Sequence, residues 1–490
     1  MLFSSLIFLY FFLPLTLSGY YLTPSKFKNY WLLLTSLIFF AWGGVSYTAI
    51  LIISISFNYF FGLRIGKNIN SARAHTWLVA GVACNLAMLI YFKYTDFFIQ
   101  NINYILGLSS APLIPQPGIL LPVGISFYTF HSLSYLVDVY RGKSEPQRNI
   151  FNMALYICMF SQLIAGPIIR YSDVWQQLTE RKHSLVKFAS GIERFLIGLA
   201  KKVLLANTFA KVADTIFESD AAGLSSANAW LGLVCYSLQI YCDFAGYSDM
   251  AIGLGRMFGF DFMENFNFPF LSRSIKEFWR RWHISLSSWF NDYVFIPFTT
   301  AKRDLGDKAV IYGILFTFLL SGFWHGAGWN FILFGFLHGI AIVYDFITKK
   351  QRKKVAKNMP QPAYDSLSIL FTYLYVCFTW IFFRANTLEQ AIDYIGALFR
   401  FNAGIEQVAL FYKLLNRELV IALVIAISGA LGFFTFVQEK AKSLKPGSFF
   451  SRAAGNTFHL ASVLTYSAIL IMCTLYLVAG TYNPFIYFRF

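Results

Sequence analysis

The amino-acid sequence predicts an all-α protein that crosses a membrane many times. Only 13% of its 490 residues are charged and 57% are hydrophobic, whereas soluble domains carry roughly 25% charged residues. Mean hydropathy is +0.55, and the apolar residues gather in runs of about 15–25, the length a helix needs to span lipid. A transmembrane β-barrel would show short alternating segments instead. The net charge of +16 is broken into clusters between the apolar runs: Arg64/Lys67/Arg73, Arg141/Lys143/Arg148, Arg181/Lys182/Lys187, the stretch from Lys349 to Lys357, and Lys440/Lys442/Lys445/Arg452. Membrane orientation explains that distribution. A nucleic-acid stripe does not.

In chain order, Met1–Leu22 has no basic leader and no small-x-small cleavage site, so it reads as a retained first span. Lys26, Lys28 and the loop at 64–73 place the N-terminus outside the cytoplasm. Tyr30–Ala41, Val45–Leu63, Trp77–Tyr94 and Ile119–Val139 read as further spans. Phe151–Ile169, with basic residues on both sides and Gly166-Pro167 inside it, predicts a re-entrant pair. Val186–Phe217 and Ala229–Phe258 read as long crossing helices. Residues 261–307 are too charged to span and predict cytoplasmic interfacial helices. Residues 308–347 predict a re-entrant hairpin, and Ser366–Phe383, Leu419–Phe436 and His459–Val478 bring the C-terminus outside. The total is roughly ten crossings in one domain over 1–490.

The six cysteines lie singly in apolar runs without a CxxC pair, which reads as small buried hydrophobes and no metal. The chemistry centres on Ser321-Gly322-Phe323-Trp324-His325-Gly326-Ala327-Gly328-Trp329-Asn330. An ionisable residue between two lipid-length runs is costly to keep there and marks a functional site. The run from Lys308 to Gly322 would climb about 22 Å at 1.5 Å per residue, most of the hydrocarbon core. Desolvation favours neutral imidazole, which suits His325 as a general base; Trp324 and Asn330 would line its site. The flanking glycines would allow unusual backbone and close approach of a ligand.

A second stretch, Lys276–Phe290, predicts one amphipathic helix with Phe278, Trp282 and Leu286 on one face and Lys276, Arg280, His283 and Ser287 on the next. It reads either as an interfacial helix on lipid phosphates or as a lip where Arg280, Arg281 and Trp282 meet a polyanionic donor. Asp243, Asp249 and Arg256 add charge to a long helix, with Asp249 and Arg256 on one face. They fit a substrate path or a structural ion pair equally. His131/Asp138 and His338 read as packing groups. No Gly-x-Ser-x-Gly elbow or P-loop is present.

At Leu121–Tyr128, Leu163–Pro167, Asp243–Gly253, Glu277–Ser287, Ser321–Gly326 and Tyr482–Phe490 the sequence resembles the membrane-bound O-acyltransferase (MBOAT) family, in its alginate and peptidoglycan O-acetylation branch. The resemblance implies a helical funnel of transmembrane and re-entrant helices, with the Trp-His-Gly histidine, His325, catalytic and His283 a second functional residue. It implies no bound cofactor, an acetyl donor such as acetyl-CoA entering from the cytoplasm, and a multi-pass protein of the bacterial inner membrane. It also implies an exported polysaccharide acceptor and a separate extracytoplasmic acetyltransferase of the SGNH type as partner. D-alanyl transfer to a cell-wall polymer is the nearest alternative. A proton-coupled transporter using Asp243, Asp249 and His325 would show paired halves, and no internal symmetry is visible. A non-catalytic scaffold would tolerate loss of His325.

Overall fold

The computed structural model describes residues 1–163, 166–401, 404–443, 449–480 and 482–484, without the side chains of 438, 441–443 and 449–459. Ile164-Ala165 and 485–490, parts of two of the motifs above, lie outside the described residues, as do the side chains of Lys442, Lys445 and Arg452. The described elements are helices, with no strand among them. Contacts divide the chain into two compact units, Met1–Ile192 with Ala251–Met263, and Glu193–Met250 with Glu264–Phe490.

In the first unit, α1 (Leu13–Leu22) follows a π-helical turn at Phe8–Phe12. Then come α2 (Lys28–Ala41), α3 (Val45–Lys67), α4 (Ala72–Leu108) and α5 (Ile125–Tyr140). Phe3, Phe8, Phe12, Phe39, Phe160 and Phe258 form its aromatic core. On α4 the buried positions Ala74, Gly81, Asn85 and Leu89 recur at helical spacing, while Val79, Leu86 and Ile90 are exposed. That is the pattern of a helix with one face on protein and one on lipid. Asn85 and Asn58 of α3 bond reciprocally through their amides, at 3.1 and 2.8 Å, which supplies the polar contact that apolar packing in lipid cannot. α4 runs 37 residues, far beyond the expected Trp77–Tyr94. The segment expected to be re-entrant breaks earlier than Gly166-Pro167: α6 (Ile150–Cys158) stops at Met159, and a short helix resumes at Phe160–Leu163.

In the second unit, α7 (Leu185–Ala200, whose first turns belong to the first unit) passes through a π turn at Lys201–Ala206 into α8 (Asn207–Phe217). Next are α9 (Ser226–Met257), α10 (Ile275–Arg281), α11 (Ile284–Phe290), α12 (Asp307–His325) and α13 (Trp329–Ile347). After the basic helix α14 (Lys349–Lys357) come α15 (Gln361–Arg384), α16 (Arg417–Ala430), α17 (Phe433–Ser443) and α18 (Phe449–Val478). The expected span Leu419–Phe436 is thus two helices, turned at Gly432 with φ +78°. Leu460, Leu464, Ile471 and Leu475 of α18 are exposed, a surface suited to lipid rather than water. Six helices among the described residues are long and apolar enough to cross a membrane. The other expected spans are shorter or more polar.

α12 and α13 pack as the expected hairpin. A Cβ on Gly322 would sit 2.9 Å from Gly335 Cα, and one on Gly335 the same distance from Gly322 Cα. Each glycine is therefore there to let the two helix backbones touch. The turn itself is extended, with φ −162° at Gly326 and −164° at Gly328. The glycines expected to provide unusual backbone for a ligand instead provide room, and at Gly326 the Phe331 ring fills it.

Candidate active site

The stretch expected as one helix over Lys276–Phe290 is two. α10 begins with Ser274 as cap, its hydroxyl accepting from the Glu277 N–H at 3.2 Å. The chain leaves the helix at Trp282 and takes a left-handed conformation at His283, φ +46° and ψ +52°. A non-glycine residue in that region is strained and must be held by its surroundings. Here a neighbouring segment holds it: Ile284 N–H donates to Asn265 O at 3.0 Å, and Asn267 N–H to Arg281 O at 2.9 Å. The break swings His283 out of the face it was expected to share with Arg280, into the interior, where it is fully buried. Trp282 is buried too, stacked on Phe278 at 5.6 Å and set against Trp380 at 5.1 Å. It is a core residue, and the expected role in donor binding does not suit it.

His283 faces a compact polar set. Its Nδ1 lies 3.2 Å from Asn265 Oδ1. The same oxygen accepts from Ser285 N–H at 3.1 Å and Ser285 Oγ–H at 2.9 Å. Asn265 Nδ2 donates to Ser248 Oγ at 3.0 Å. Phe244 meets the His283 ring edge-on at 4.5 Å. Burial holds the His283 imidazole well below its ordinary value, and the charge of His325 lowers it further. The two histidines, distant in sequence, are thus within electrostatic reach of each other. Trp324 links them, with its ring 6.4 Å from His283 and 4.8 Å from His325. His325 ends α12, buried, with the Phe383 and Phe334 rings at 5.2 and 5.9 Å.

A cavity of about 670 Å³ is lined by residues of α10, α11, α12 and α13, and neither His283 nor His325 is among them. Its lining includes Lys276 and Arg280 together with Trp279, Ile284, Thr317, Phe318 and Ser321. Ile284 follows His283, and Ser321 lies one turn before His325 on the same helix face. Arg280 is exposed, as a residue that greets a polyanion must be. Arg281 is not available in the same way: it pairs with Glu277 at 2.9 Å and donates to Asn267 O at 3.2 Å.

The remaining expected site residues are built into the scaffold. Asn330 Nδ2 donates to Ala385 O at 2.9 Å and Phe382 O at 3.3 Å, tying the start of α13 to the end of α15. Asp243 pairs with Lys202 at 2.9 Å, and Asp249 with Arg194 at 2.6 Å and Lys201 at 2.7 Å. Asp249 thus finds its cations on α7 and the π turn after it, not through the helix-face pairing expected with Arg256. A Cβ on Gly246 would lie 2.7 Å from Gly198 O, so the helices touch where these pairs form. Lys202 also donates to Pro484 O, and Tyr482 donates to Asp214 at 2.8 Å. Asp214 in turn pairs with Arg384 at 2.6 Å. The described part of the C-terminal motif is therefore a clamp. Asn265, Ser248, Ser285, Lys202 and Arg384 carry no spacing signal that would have singled them out; only the break at His283 brings the first three together. Among the described residues, no group of three or more His, Cys, Asp or Glu could hold a metal ion.

A model of the membrane-bound O-acyltransferase family matches residues 142–385. A probable alginate O-acetylase of Azotobacter vinelandii is 38% identical over 100% of both chains. The peptidoglycan O-acetyltransferase of Helicobacter pylori is 35% identical over 82% of this chain and 80% of its own. A teichoic acid D-alanyltransferase of Bacillus subtilis is 30% identical over 57% of this chain and 72% of its own. With a buried histidine pair in a helical chain of apolar spans, this protein belongs to the membrane-bound O-acyltransferase family and is an O-acyltransferase.

Proposed function

We propose that the protein is an inner-membrane O-acetyltransferase that takes acetyl from a cytoplasmic thioester, acetyl-CoA, toward an exported polysaccharide of the alginate or peptidoglycan kind. The observation that carries this reading is the cavity, lined by Lys276 and Arg280 and also by Ile284 and Ser321, which lie next to His283 and one turn before His325 along the chain. Donor phosphates would meet Lys276 and Arg280, and the thioester arm would lie along the apolar wall. His325 takes the proton of the attacking hydroxyl as its oxygen bonds to the carbonyl carbon. The C–S bond breaks, and the proton passes to the leaving sulfur. His283, neutral and within electrostatic reach, assists; two imidazolium charges in such a space would repel. The immediate acceptor is either the polysaccharide or an SGNH-type extracytoplasmic acetyltransferase that finishes the transfer. The activities of the relatives support the alginate or peptidoglycan reading ahead of D-alanyl transfer, whose relative matches less of the chain.

The test uses the full-length protein in lipid nanodiscs with labelled acetyl-CoA, first alone and then with alginate or peptidoglycan fragments and the partner. His325→Ala, folded and inserted, is expected to lower acetyl transfer from the donor about 1,000-fold. Wild-type transfer in that variant would sink the assignment.

A further inference from the structure

We propose that Asn265 is a positioning residue for the acyl transfer, holding His283 in its Nδ1–H form so that Nε2 carries the lone pair. This rests on His283 working in the reaction as proposed above. The inference follows from which atoms can donate. A backbone N–H only donates, so the Asn265 side-chain atom 3.1 Å from Ser285 N is the amide oxygen and not the nitrogen. Ser248 Oγ receives the other end of the amide at 3.0 Å, consistent with that orientation. The His283 Nδ1 facing the oxygen at 3.2 Å must then carry a hydrogen, because two lone pairs at that distance repel. Ser285 Oγ offers little competition for Nδ1: it stands 3.5 Å from it but 2.9 Å from the Asn265 oxygen.

The strained backbone at His283 agrees with this reading. Asn265 O accepts from Ile284 N–H while its side chain accepts from Ser285 N–H, so one residue fixes both the left-handed turn and the ring within it. Burial keeps the ring neutral, with His325 the ionisable neighbour acting on it. A neutral Nδ1–H imidazole accepts through Nε2, from a hydroxyl or from the N–H of His325 once that ring has taken a proton. The opposite tautomer would present an N–H on that side and could accept from neither.

The test combines NMR of histidine-¹⁵N-labelled protein in nanodiscs with steady-state kinetics on acetyl-CoA. Wild type is expected to show His283 neutral and protonated on Nδ1. Asn265→Leu is expected to move the proton to Nε2 and to lower kcat about 100-fold, with KM for acetyl-CoA within about two-fold. Asn265→Asp keeps an acceptor, so Nδ1–H and most of kcat should return, and the imidazolium should appear at higher pH. A wild-type proton on Nε2, or a tautomer unmoved in Asn265→Leu, overturns the inference. A reversed tautomer with unchanged kcat overturns the positioning role, and an active His283→Ala overturns the reading beneath it. Where Asn265→Leu does not fold, Asn265→Asp decides: an imidazolium at unchanged pH overturns the inference.

Discussion

Two buried histidines in the second unit, His338 and His283, are held in opposite tautomers by different partners. His338 Nδ1 accepts from Trp279 Nε1–H at 3.1 Å. An indole N–H can only donate, so the His338 proton sits on Nε2, which donates to Thr379 Oγ1 at 3.0 Å. Thr379 passes its own hydrogen to Val376 O at 2.8 Å. That chain ends on backbone, with every group satisfied and nothing left to exchange. His283 is anchored through Nδ1 to a side-chain amide, in a strained turn, with Trp324 as a neighbour that it shares with His325. Burial alone does not mark a histidine as a reagent; the way its proton is fixed does.

The largest expected effect separates the two. His325→Ala and His283→Ala should each lower acetyl transfer about 1,000-fold, and the double variant should lose little more, because groups that act as a unit are not additive. A double variant that loses the product of the two would show independent roles. His338→Ala should reverse the profile: activity within a few-fold of wild type, but about 2–4 kcal/mol of stability lost, from the cavity and the orphaned Trp279 and Thr379 groups. Thermal unfolding in nanodiscs reads it.

The pH dependence of stability sharpens the contrast further. A histidine whose folded pKa is depressed is bound by more protons unfolded than folded below its ordinary value. Stability from His283 is therefore full above about pH 6.5 and falls as the pH drops below it. His283→Gln should flatten that slope without removing it. His183, in the first unit, is lowered in the same direction, by burial and then by Lys28, Arg181 and Lys187. An unchanged slope would mean His283 titrates normally. The smallest expected effect lies at the cavity border. Arg280→Gln should raise KM for acetyl-CoA about five-fold, less so at high salt, with kcat unchanged. Arg281→Gln, which breaks the Glu277 pair, should lower thermal stability and leave KM alone.

Much of the architecture was legible because it follows from local physics. Lipid-length apolar runs, the hairpin around Trp324-His325-Gly326 and the structural character of His338 are read from composition and helical spacing, and α12 and α13 fall where those predict. The amphipathic pattern over Lys276–Phe290 misled for a definite reason. Helical periodicity continues across Trp282-His283, but the backbone does not, because Asn265 and Asn267 supply hydrogen bonds that compete with the helix. For Asp243 and Asp249 the sequence left a substrate path and a structural ion pair equally open, since the cations they meet, Lys202, Arg194 and Lys201, sit 40–60 positions away in sequence.

The sequence by itself determined the membrane class and the family, and it singled out His325 and His283 as candidates, since these depend on hydropathy and short motifs that a linear chain displays. Tertiary structure decided which charges are spent on the scaffold, why the glycines flank His325, and which nitrogen of His283 holds its proton. Those depend on what each side chain meets across the fold, where a single backbone N–H, that of Ser285, orients an amide and the amide orients a ring.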